Sequence, residues 1–136
     1  MKRNATAVWN GELKTGNGRI TTESKTLENA QYSFKTRFEE GVGTNPEELI
    51  AAAHAGCFTM QLSAYIGEED FEIESIETKC EIDFQDGVVV ASHLNVEGKV
   101  KEISNDKFQE LVAKAEKKCP ISKLLNAKIT SSATLV

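Results

Sequence analysis

Alternating apolar and polar positions predict short β-strands along the first part of the chain. Strands are expected at residues 5–9 and 19–22, separated by turns rich in Gly and Asn. Residues 32–38 also alternate, with Tyr32, Phe34 and Thr36 on one side and Arg37 on the other. This pattern predicts a third strand, which places Arg37 next to the segment that follows.

A long helix is predicted after Gly43. Asn45 can serve as its N-cap and Pro46 as its first residue, while Glu47 and Glu48 favour the positive end of the helix dipole. Residues 49–66 are apolar nearly all round, which predicts a helix buried on most of its sides. One stripe of it is expected to contain Leu49, Ala53, Cys57, Met60 and Ala64.

The residue pattern in the second half of the chain predicts a hairpin, two helices and a closing strand. Residues 73–84 alternate with Cys80 on the inward side, Asp86-Gly87 is a hairpin turn signal, and residues 88–96 form the return strand. Ser104 is a candidate cap for an amphipathic helix, which Pro120 interrupts before a short helix and a strand at residues 128–136. This order of elements predicts a single α+β domain spanning residues 1–136.

Composition narrows the classes of function. The 136 residues are 40% hydrophobic and 27% charged, with a net charge of −5 and no run of Lys or Arg. Nucleic acid is therefore not an expected partner, and an anionic membrane would repel the chain. The longest apolar stretch, residues 49–60, is too short to span a bilayer, and no apolar leader follows Met1, so a cytoplasmic location is expected.

Two of the three cysteines stand in different settings. Cys57 lies in the apolar helix, where a cysteine is often a small buried hydrophobe, and burial alone raises a thiol pKa. Cys119 precedes Pro120, and a cysteine at the cap of a helix beside Lys117 and Lys118 is favoured as thiolate. Its plainer interpretation is an incidental surface cysteine at a helix break. A reactive thiol and a second thiol that captures it is the hypothesis that uses both.

Other polar residues have alternative interpretations. Cys80 is expected to fill the core, and His54 is a candidate partner of Cys57 or part of a metal site, although this spacing is common by chance. No metal or cofactor is expected. Glu47 lies about 15 Å along a straight helix from Cys57, so it is expected to act through a long side chain such as Arg37 or across a subunit boundary.

Three segments together resemble the OsmC/Ohr family of thiol peroxidases, closest to the OsmC branch. They are Thr36-Arg37-Phe38-Glu39, the run from Gly43 through His54-Ala55-Gly56-Cys57 to Met60, and Lys118-Cys119-Pro120-Ile121-Ser122-Lys123. The similarity runs over nearly the whole chain, and the two cysteine motifs together are highly specific. Cys80 has no counterpart in the mechanism of the family.

The resemblance implies an OsmC-like fold in an intertwined homodimer, with a long buried central helix and active sites at the subunit interface. It implies a cysteine-based peroxidase that reduces organic hydroperoxides, and hydrogen peroxide less efficiently, in oxidative or osmotic stress defence. Cys57 is then the peroxidatic cysteine, Cys119 the resolving one, Arg37 the active-site arginine and Glu47 the residue that holds it. An external dithiol (a lipoylated protein, thioredoxin or a small thiol) is the expected reductant.

Two other functions fit the same pattern. One is a non-catalytic binder of a small hydrophobic ligand, with Cys57 lining the cavity. The other is a thiol redox sensor that passes its disulfide to a partner. Cysteine substitutions distinguish the binder from the functions that depend on a thiol, because a binder keeps its function when either cysteine becomes serine.

Overall fold

The computed structural model describes residues 1–136 and contains six strands and four helices. In chain order the elements are β1 Ala5–Asn10, β2 Asn17–Thr22, β3 Ala30–Tyr32, α1 Phe34–Phe38, α2 Pro46–Glu68, β4 Ile73–Gln85, β5 Val88–Val100, α3 Asn105–Lys118, α4 Pro120–Leu124 and β6 Lys128–Leu135. The chain divides into two compact units, residues 1–49 and 50–136, each with one three-stranded sheet. The α+β class predicted from the sequence is confirmed, whereas the single domain stays a prediction.

The first unit is an antiparallel sheet followed by a short helix. Its strands pair in the order β1-β2-β3. The predicted third strand over residues 32–38 is wrong beyond Tyr32, since α1 occupies Phe34–Phe38. Ser33 and Thr36 form a capping box: the Ser33 hydroxyl accepts from the Thr36 N–H, and the Thr36 hydroxyl accepts from the Ser33 N–H. These bonds satisfy the free N–H groups of a helix start, which outweighs the alternation of the side chains.

Helix α2 begins as the sequence predicts. The Asn45 side chain accepts a hydrogen bond from the Glu48 N–H at 2.7 Å, and Pro46 takes the first helical position. The predicted stripe through Cys57 and Met60 is not the one that a single chain buries. The fully buried residues of α2 instead recur every four positions: His54, Phe58, Leu62 and Ile66.

The length of α2 also corrects an expectation. It has 23 residues and is apolar over most of its length. The helix is therefore long and apolar enough to cross a membrane, and the expectation of a segment too short to do so is wrong. The core helix of a soluble protein passes the same test, so this property alone assigns no membrane.

The second unit combines a sheet with helices α3 and α4. Strands β4 and β5 form the predicted antiparallel hairpin, in which Asp86 and Gly87 both have positive φ, at 49° and 77°. Strand β6 then pairs parallel to β5, after a crossover through α3 and α4. The β5 strand is thus central, and α4 lies on the connection between the two parallel strands.

One hydrophobic core holds the second unit together. Phe58, Leu62 and Ile66 of α2 belong to it, as do Leu94 and Val96 of β5. The amphipathic stripe predicted for α3 is confirmed, and its buried members are Phe108, Leu111, Val112 and Ala115. Ser104 caps α3 by accepting from the Lys107 N–H at 3.1 Å. Cys119 is buried in the same core, between the end of α3 and the start of α4.

Candidate functional site

Arg37 and Glu47 form an ion pair in the first unit. The Nε and Nη2 atoms of Arg37 both donate to Oε1 of Glu47, at 3.0 Å and 2.9 Å. The Glu47 side chain is only 12% exposed, compared with 40% for Arg37. The second carboxylate oxygen, Oε2, is buried and accepts no hydrogen bond. The carboxylate therefore fixes the orientation of the guanidinium while part of the guanidinium stays accessible.

Local contacts hold α1 and the start of α2 in place for this pair. Besides capping α2, the Asn45 side chain donates from Nδ2 to the Thr36 carbonyl oxygen at 3.1 Å. Thr36 itself belongs to the capping box that starts α1. Asn45 thus joins the helix that carries Arg37 to the helix that carries Glu47. The guanidinium also lies over the Phe38 ring, 5.4 Å from its centroid.

An aromatic cavity of about 420 Å³ lies beside the Arg37 side chain in the same unit. Its walls are mainly aromatic and apolar, with a guanidinium as the charged group. The lining residues are Trp9, Gly11, Leu13, Tyr32, Ser33, Phe34, Arg37, Phe38 and Pro46. A cavity of this size and lining suits an apolar or aromatic group attached to a polar one.

Cys57 and Cys119 lie together in the second unit. The Cys57 thiol is within hydrogen-bonding reach of the Cys119 thiol and of the backbone of Ile121. Helix α2 supplies Cys57, which is half-buried, whereas Cys119 is fully buried. Both sulfurs are free thiols. Of the two, Cys57 is therefore the one that a molecule from solvent reaches.

The surroundings of Cys57 raise its pKa above the usual value for a thiol. Burial is the main cause, the backbone of Ile121 opposes it, and the Cys119 thiol adds to the rise. None of these groups is a cation. A reactive Cys57 thiolate would therefore need a positive charge that these groups do not supply.

Cys119 occupies the cap position predicted for it, but in a different environment. It precedes Pro120 at the start of α4, and its side chain makes no capping hydrogen bond. Its N–H donates to the Ala115 carbonyl at 2.9 Å, and its carbonyl accepts from the Lys123 N–H at 3.1 Å. The alternative of an incidental surface cysteine is wrong, because none of the residue is exposed.

His54 contacts two serines. Its Nδ1 lies 2.6 Å from the Ser92 hydroxyl of β5, and its Nε2 lies 2.7 Å from the Ser122 hydroxyl of α4. Burial lowers the pKa of His54, and the Glu116 carboxylate partly offsets this. With both nitrogens occupied, His54 does not form the Cys57 pair that its spacing suggested. No three His, Cys, Asp or Glu side chains lie close enough together to hold a metal ion.

Cys80 takes the inward position on β4 that alternation predicted. Its sulfur lies 3.2 Å from the Ser92 hydroxyl and 3.9 Å from Nδ1 of His54, and burial raises its pKa. Sequence reasoning missed Ser92 and Ser122 as neighbours of these groups. Ser92 did leave a signal, because it is a polar residue on the inward face of a strand beside Leu94.

The fold and the site define an α+β protein with two neighbouring free thiols and, in its other unit, a carboxylate-held arginine. The profile of the family described as OsmC-like protein matches residues 39–133. The chain is 42% identical to peroxiredoxin OsmC of Escherichia coli over 128 residues, which cover 91% of this chain and 90% of that protein. It therefore belongs to the OsmC-like family, as the resemblance predicted.

Two further relatives agree with this assignment. The organic hydroperoxide resistance protein OhrB of Bacillus subtilis is 35% identical over 112 residues, covering 78% of this chain and 79% of its own. Its crystal structure has a TM-score of 0.66 and 26% identity, with 98% of each chain covered. An OsmC-like protein from Mycoplasma pneumoniae shares the fold at 17% identity, with a TM-score of 0.77 over 100% of this chain and 98% of its own. The predicted OsmC-like fold is confirmed.

Proposed function

We propose that this protein is a thiol-dependent peroxidase that reduces organic hydroperoxides, with Cys57 as the peroxidatic and Cys119 as the resolving cysteine. The observation that carries the proposal is the contact between these two thiols, one half-buried and the other fully buried. An accessible thiol next to a sheltered one suits oxidation of the first followed by capture by the second. The names of the relatives, peroxiredoxin and organic hydroperoxide resistance protein, support the same activity.

The reaction proceeds in three steps. The Cys57 thiolate attacks the terminal oxygen of the hydroperoxide, the O–O bond breaks, and the alkoxide takes a proton and leaves as an alcohol. Cys57 is then a sulfenic acid. The Cys119 sulfur attacks the Cys57 sulfur, the S–O bond breaks, and water leaves as the disulfide forms. An external dithiol reduces this disulfide and is itself oxidised.

Arg37 is proposed to favour the thiolate of Cys57 and to offset the charge of the departing alkoxide. Since burial raises the pKa of Cys57, a guanidinium in the assembled site would oppose that rise. Glu47 supports this role by holding Arg37 through two hydrogen bonds. Both residues are thus proposed as members of the catalytic site, beside the two cysteines.

The aromatic cavity next to Arg37 is proposed to receive the organic part of the substrate. Its volume of about 420 Å³ suits a phenyl-sized or fatty group better than bare hydrogen peroxide. The apolar sequence of α2 also suggests Leu49, Phe58 and Met60 as a wall for this purpose. Phe58 does not serve it, because its side chain is fully buried in the core.

A homodimer is the proposed assembly. Helix α2 buries one stripe within a single chain and leaves Met60 76% exposed, although the rest of the helix is largely apolar. A second copy would remove this surface from water. The protein is proposed to act as one OsmC-like domain in the cytoplasm, in stress defence, with a lipoylated protein, thioredoxin or a small thiol as its reductant.

The test is a stopped-flow titration of the reduced protein with cumene hydroperoxide and with hydrogen peroxide, followed by mass spectrometry of the products. We expect faster reaction with cumene hydroperoxide and a disulfide between Cys57 and Cys119. Slow or absent oxidation by both peroxides would contradict the proposal.

The cavity also supports a second candidate, a binder of a small hydrophobic ligand. A binder would saturate with an aromatic ligand, would form no Cys57–Cys119 disulfide with peroxide, and would keep its affinity in Cys57→Ser. The same titration therefore separates the two functions.

A further inference from the structure

Three elements of the second unit meet at one buried histidine. His54 on α2 is fully buried, and its two ring nitrogens lie 2.6 Å from the Ser92 hydroxyl on β5 and 2.7 Å from the Ser122 hydroxyl on α4. Ser92 is fully buried and Ser122 is 8% exposed. This cluster, which we call the His54 clasp (His54, Ser92 and Ser122), is distinct from the proposed catalytic residues.

Both hydrogen bonds of the clasp form with an uncharged imidazole ring. Burial lowers the pKa of His54, and the nearby Glu116 carboxylate only partly opposes this. A neutral imidazole has one donor and one acceptor nitrogen, while a serine hydroxyl can donate or accept. Both hydrogen bonds therefore form in either tautomer, and water is not needed to complete them.

Ser122 connects the clasp to the resolving cysteine. It lies in α4, a five-residue helix that starts directly after Cys119. The Cys119 carbonyl accepts from the Lys123 N–H at 3.1 Å, and the Pro120 ring restricts the backbone between them. The backbone of Ile121, next to Ser122, reaches the Cys57 sulfur. The Cys119 thiol and the Ile121 backbone both lie beside Cys57. A shift of Ser122 would therefore move both of them.

We propose that His54 is a positioning residue for the resolving step: through Ser122 it holds α4 where Cys119 can attack Cys57. This inference rests on the proposed function. When Cys119 attacks the Cys57 sulfenic acid, the S–O bond breaks, the S–S bond forms and water leaves. In the competing step a second hydroperoxide converts the sulfenic acid to a sulfinic acid and is reduced to its alcohol. Displacement of α4 slows the first step and leaves the second unchanged.

The attack by Cys119 can be timed without a hydroperoxide. Reduced protein is mixed with dithio-bis-nitrobenzoate, an aromatic disulfide whose thiolate is coloured. Cys57 first displaces one nitrothiobenzoate and forms a mixed disulfide. Cys119 then displaces the second nitrothiobenzoate and closes the Cys57–Cys119 disulfide. The second coloured phase, which Cys119→Ser should lack, measures the resolving attack.

Ser122→Ala is the principal variant. It removes one hydroxyl and is expected to slow the second phase about five- to tenfold, while the first phase, which depends on α4 only through the Ile121 backbone beside Cys57, changes at most about twofold. The matched control is Thr130→Ala, which removes a hydroxyl 2.6 Å from Nδ1 of His93, the other histidine of the chain. The control should alter neither phase. A second phase of wild-type speed in Ser122→Ala would overturn the proposal.

His54→Phe tests the same bond from its other end. It should slow the second phase to a similar extent, and the double variant with Ser122→Ala should lose no more than either single variant. Fully additive losses would place the two residues in separate roles and would also overturn the proposal. General destabilisation would instead slow both phases.

Hydroperoxide provides the second readout. With excess cumene hydroperoxide, Ser122→Ala should raise the ratio of Cys57 sulfinic acid to disulfide by about the factor seen in the second phase. If wild-type protein does not react with hydroperoxide, the proposed function fails. The two coloured phases still decide whether His54 positions Cys119.

Discussion

Arg37 places two of its nitrogens on a single carboxylate oxygen of Glu47, at 3.0 Å and 2.9 Å, and leaves the other oxygen buried without a hydrogen bond. The pair is thus held from one side, and the remaining nitrogen of the guanidinium is not committed to Glu47. A charge-assisted contact of this kind orients the arginine more strictly than a single hydrogen bond would.

Glu47→Gln should reduce the second-order rate constant for cumene hydroperoxide by about ten- to a hundredfold, because the amide lacks the negative charge that holds the guanidinium. The matched control is Glu48→Gln, which alters the neighbouring carboxylate, the partner of the Thr44 hydroxyl at 2.8 Å. The control should stay near the wild-type rate. Equal losses in the two variants, measured by stopped-flow, would mean that Glu47 serves only the start of helix α2.

The cysteine variants should divide the reaction into its steps. Cys57→Ser should abolish peroxide consumption. Cys119→Ser should allow a single turnover and leave a sulfenic acid that dimedone traps. Cys80→Ala is expected to keep full turnover, since its sulfur contacts Ser92 and lies inward on β4. Turnover that survives in Cys57→Ser would rule out the proposed nucleophile.

Removal of Arg37 should raise the pH needed to ionise Cys57. Burial already raises the pKa of this thiol, so Arg37→Met leaves the rise without an opposing cation. The rate of alkylation of Cys57 by iodoacetamide, followed against pH, should shift to higher pH in Arg37→Met and less in Arg37→Lys. Arg19→Met is the control, because Arg19 donates to the Gly18 carbonyl on β2. An unshifted profile in Arg37→Met would remove Arg37 from the site.

The His54 clasp predicts a loss of stability in mild acid. An unfolded chain has a His pKa of about 6.5, whereas burial lowers that of His54 in the folded protein. The unfolded state therefore binds more protons below this value. The free energy of unfolding should be constant above it and should fall with decreasing pH, by at most about 1.4 kcal/mol per pH unit.

The effect is measured as the free energy of unfolding in urea, for the wild type and for His54→Gln, at one pH above and one pH below the unfolded-state value of about 6.5. The variant should lose less stability on acidification, because its side chain does not titrate. His93→Gln is the control and should retain the wild-type difference between the two conditions. If both variants resemble the wild type, protonation of another group governs the acid response.

Met60→Glu should weaken the proposed homodimer. Its side chain is 76% exposed in the single chain, and burial of a carboxylate in an apolar contact between copies is costly. Sedimentation velocity should then show a smaller species than for the wild type. Val136→Glu changes a residue that is 61% exposed at the end of the chain and should keep the wild-type species. A Met60→Glu protein that sediments like the wild type would place the contact elsewhere.

Local signals predicted most of the elements. The hairpin at Asp86-Gly87, the cap at Ser104 and the break at Pro120 all depend on residues close in the chain, and all three predictions were confirmed. The exception, residues 34–38, also had a local signal: the capping box of Ser33 and Thr36 marks a helix start. The alternation of Tyr32, Phe34 and Thr36 suggested a strand because the side chains of so short a helix do not show its period.

The contacts of the site depended on tertiary structure. His54 lies 38 residues from Ser92 and 68 from Ser122 in sequence, so no spacing could indicate that they meet. The stripe that α2 buries was also missed, because a helix apolar nearly all round has no single preferred face. The cysteines were easier to find, since their chemistry and their motifs pointed to them directly. The family resemblance implied that Cys57 and Cys119 are neighbours, and the structure supplies their contact.

The complete burial of Cys119 has a consequence for the return half of the cycle. In the proposed Cys57–Cys119 disulfide, a reducing thiol arriving from solvent would find the Cys119 sulfur shielded and would attack the Cys57 sulfur. The transient bond to the reductant would then form on Cys57, and Cys119 would depart as the leaving group. The packing around a single sulfur would thus determine at which end of the bond its reduction begins.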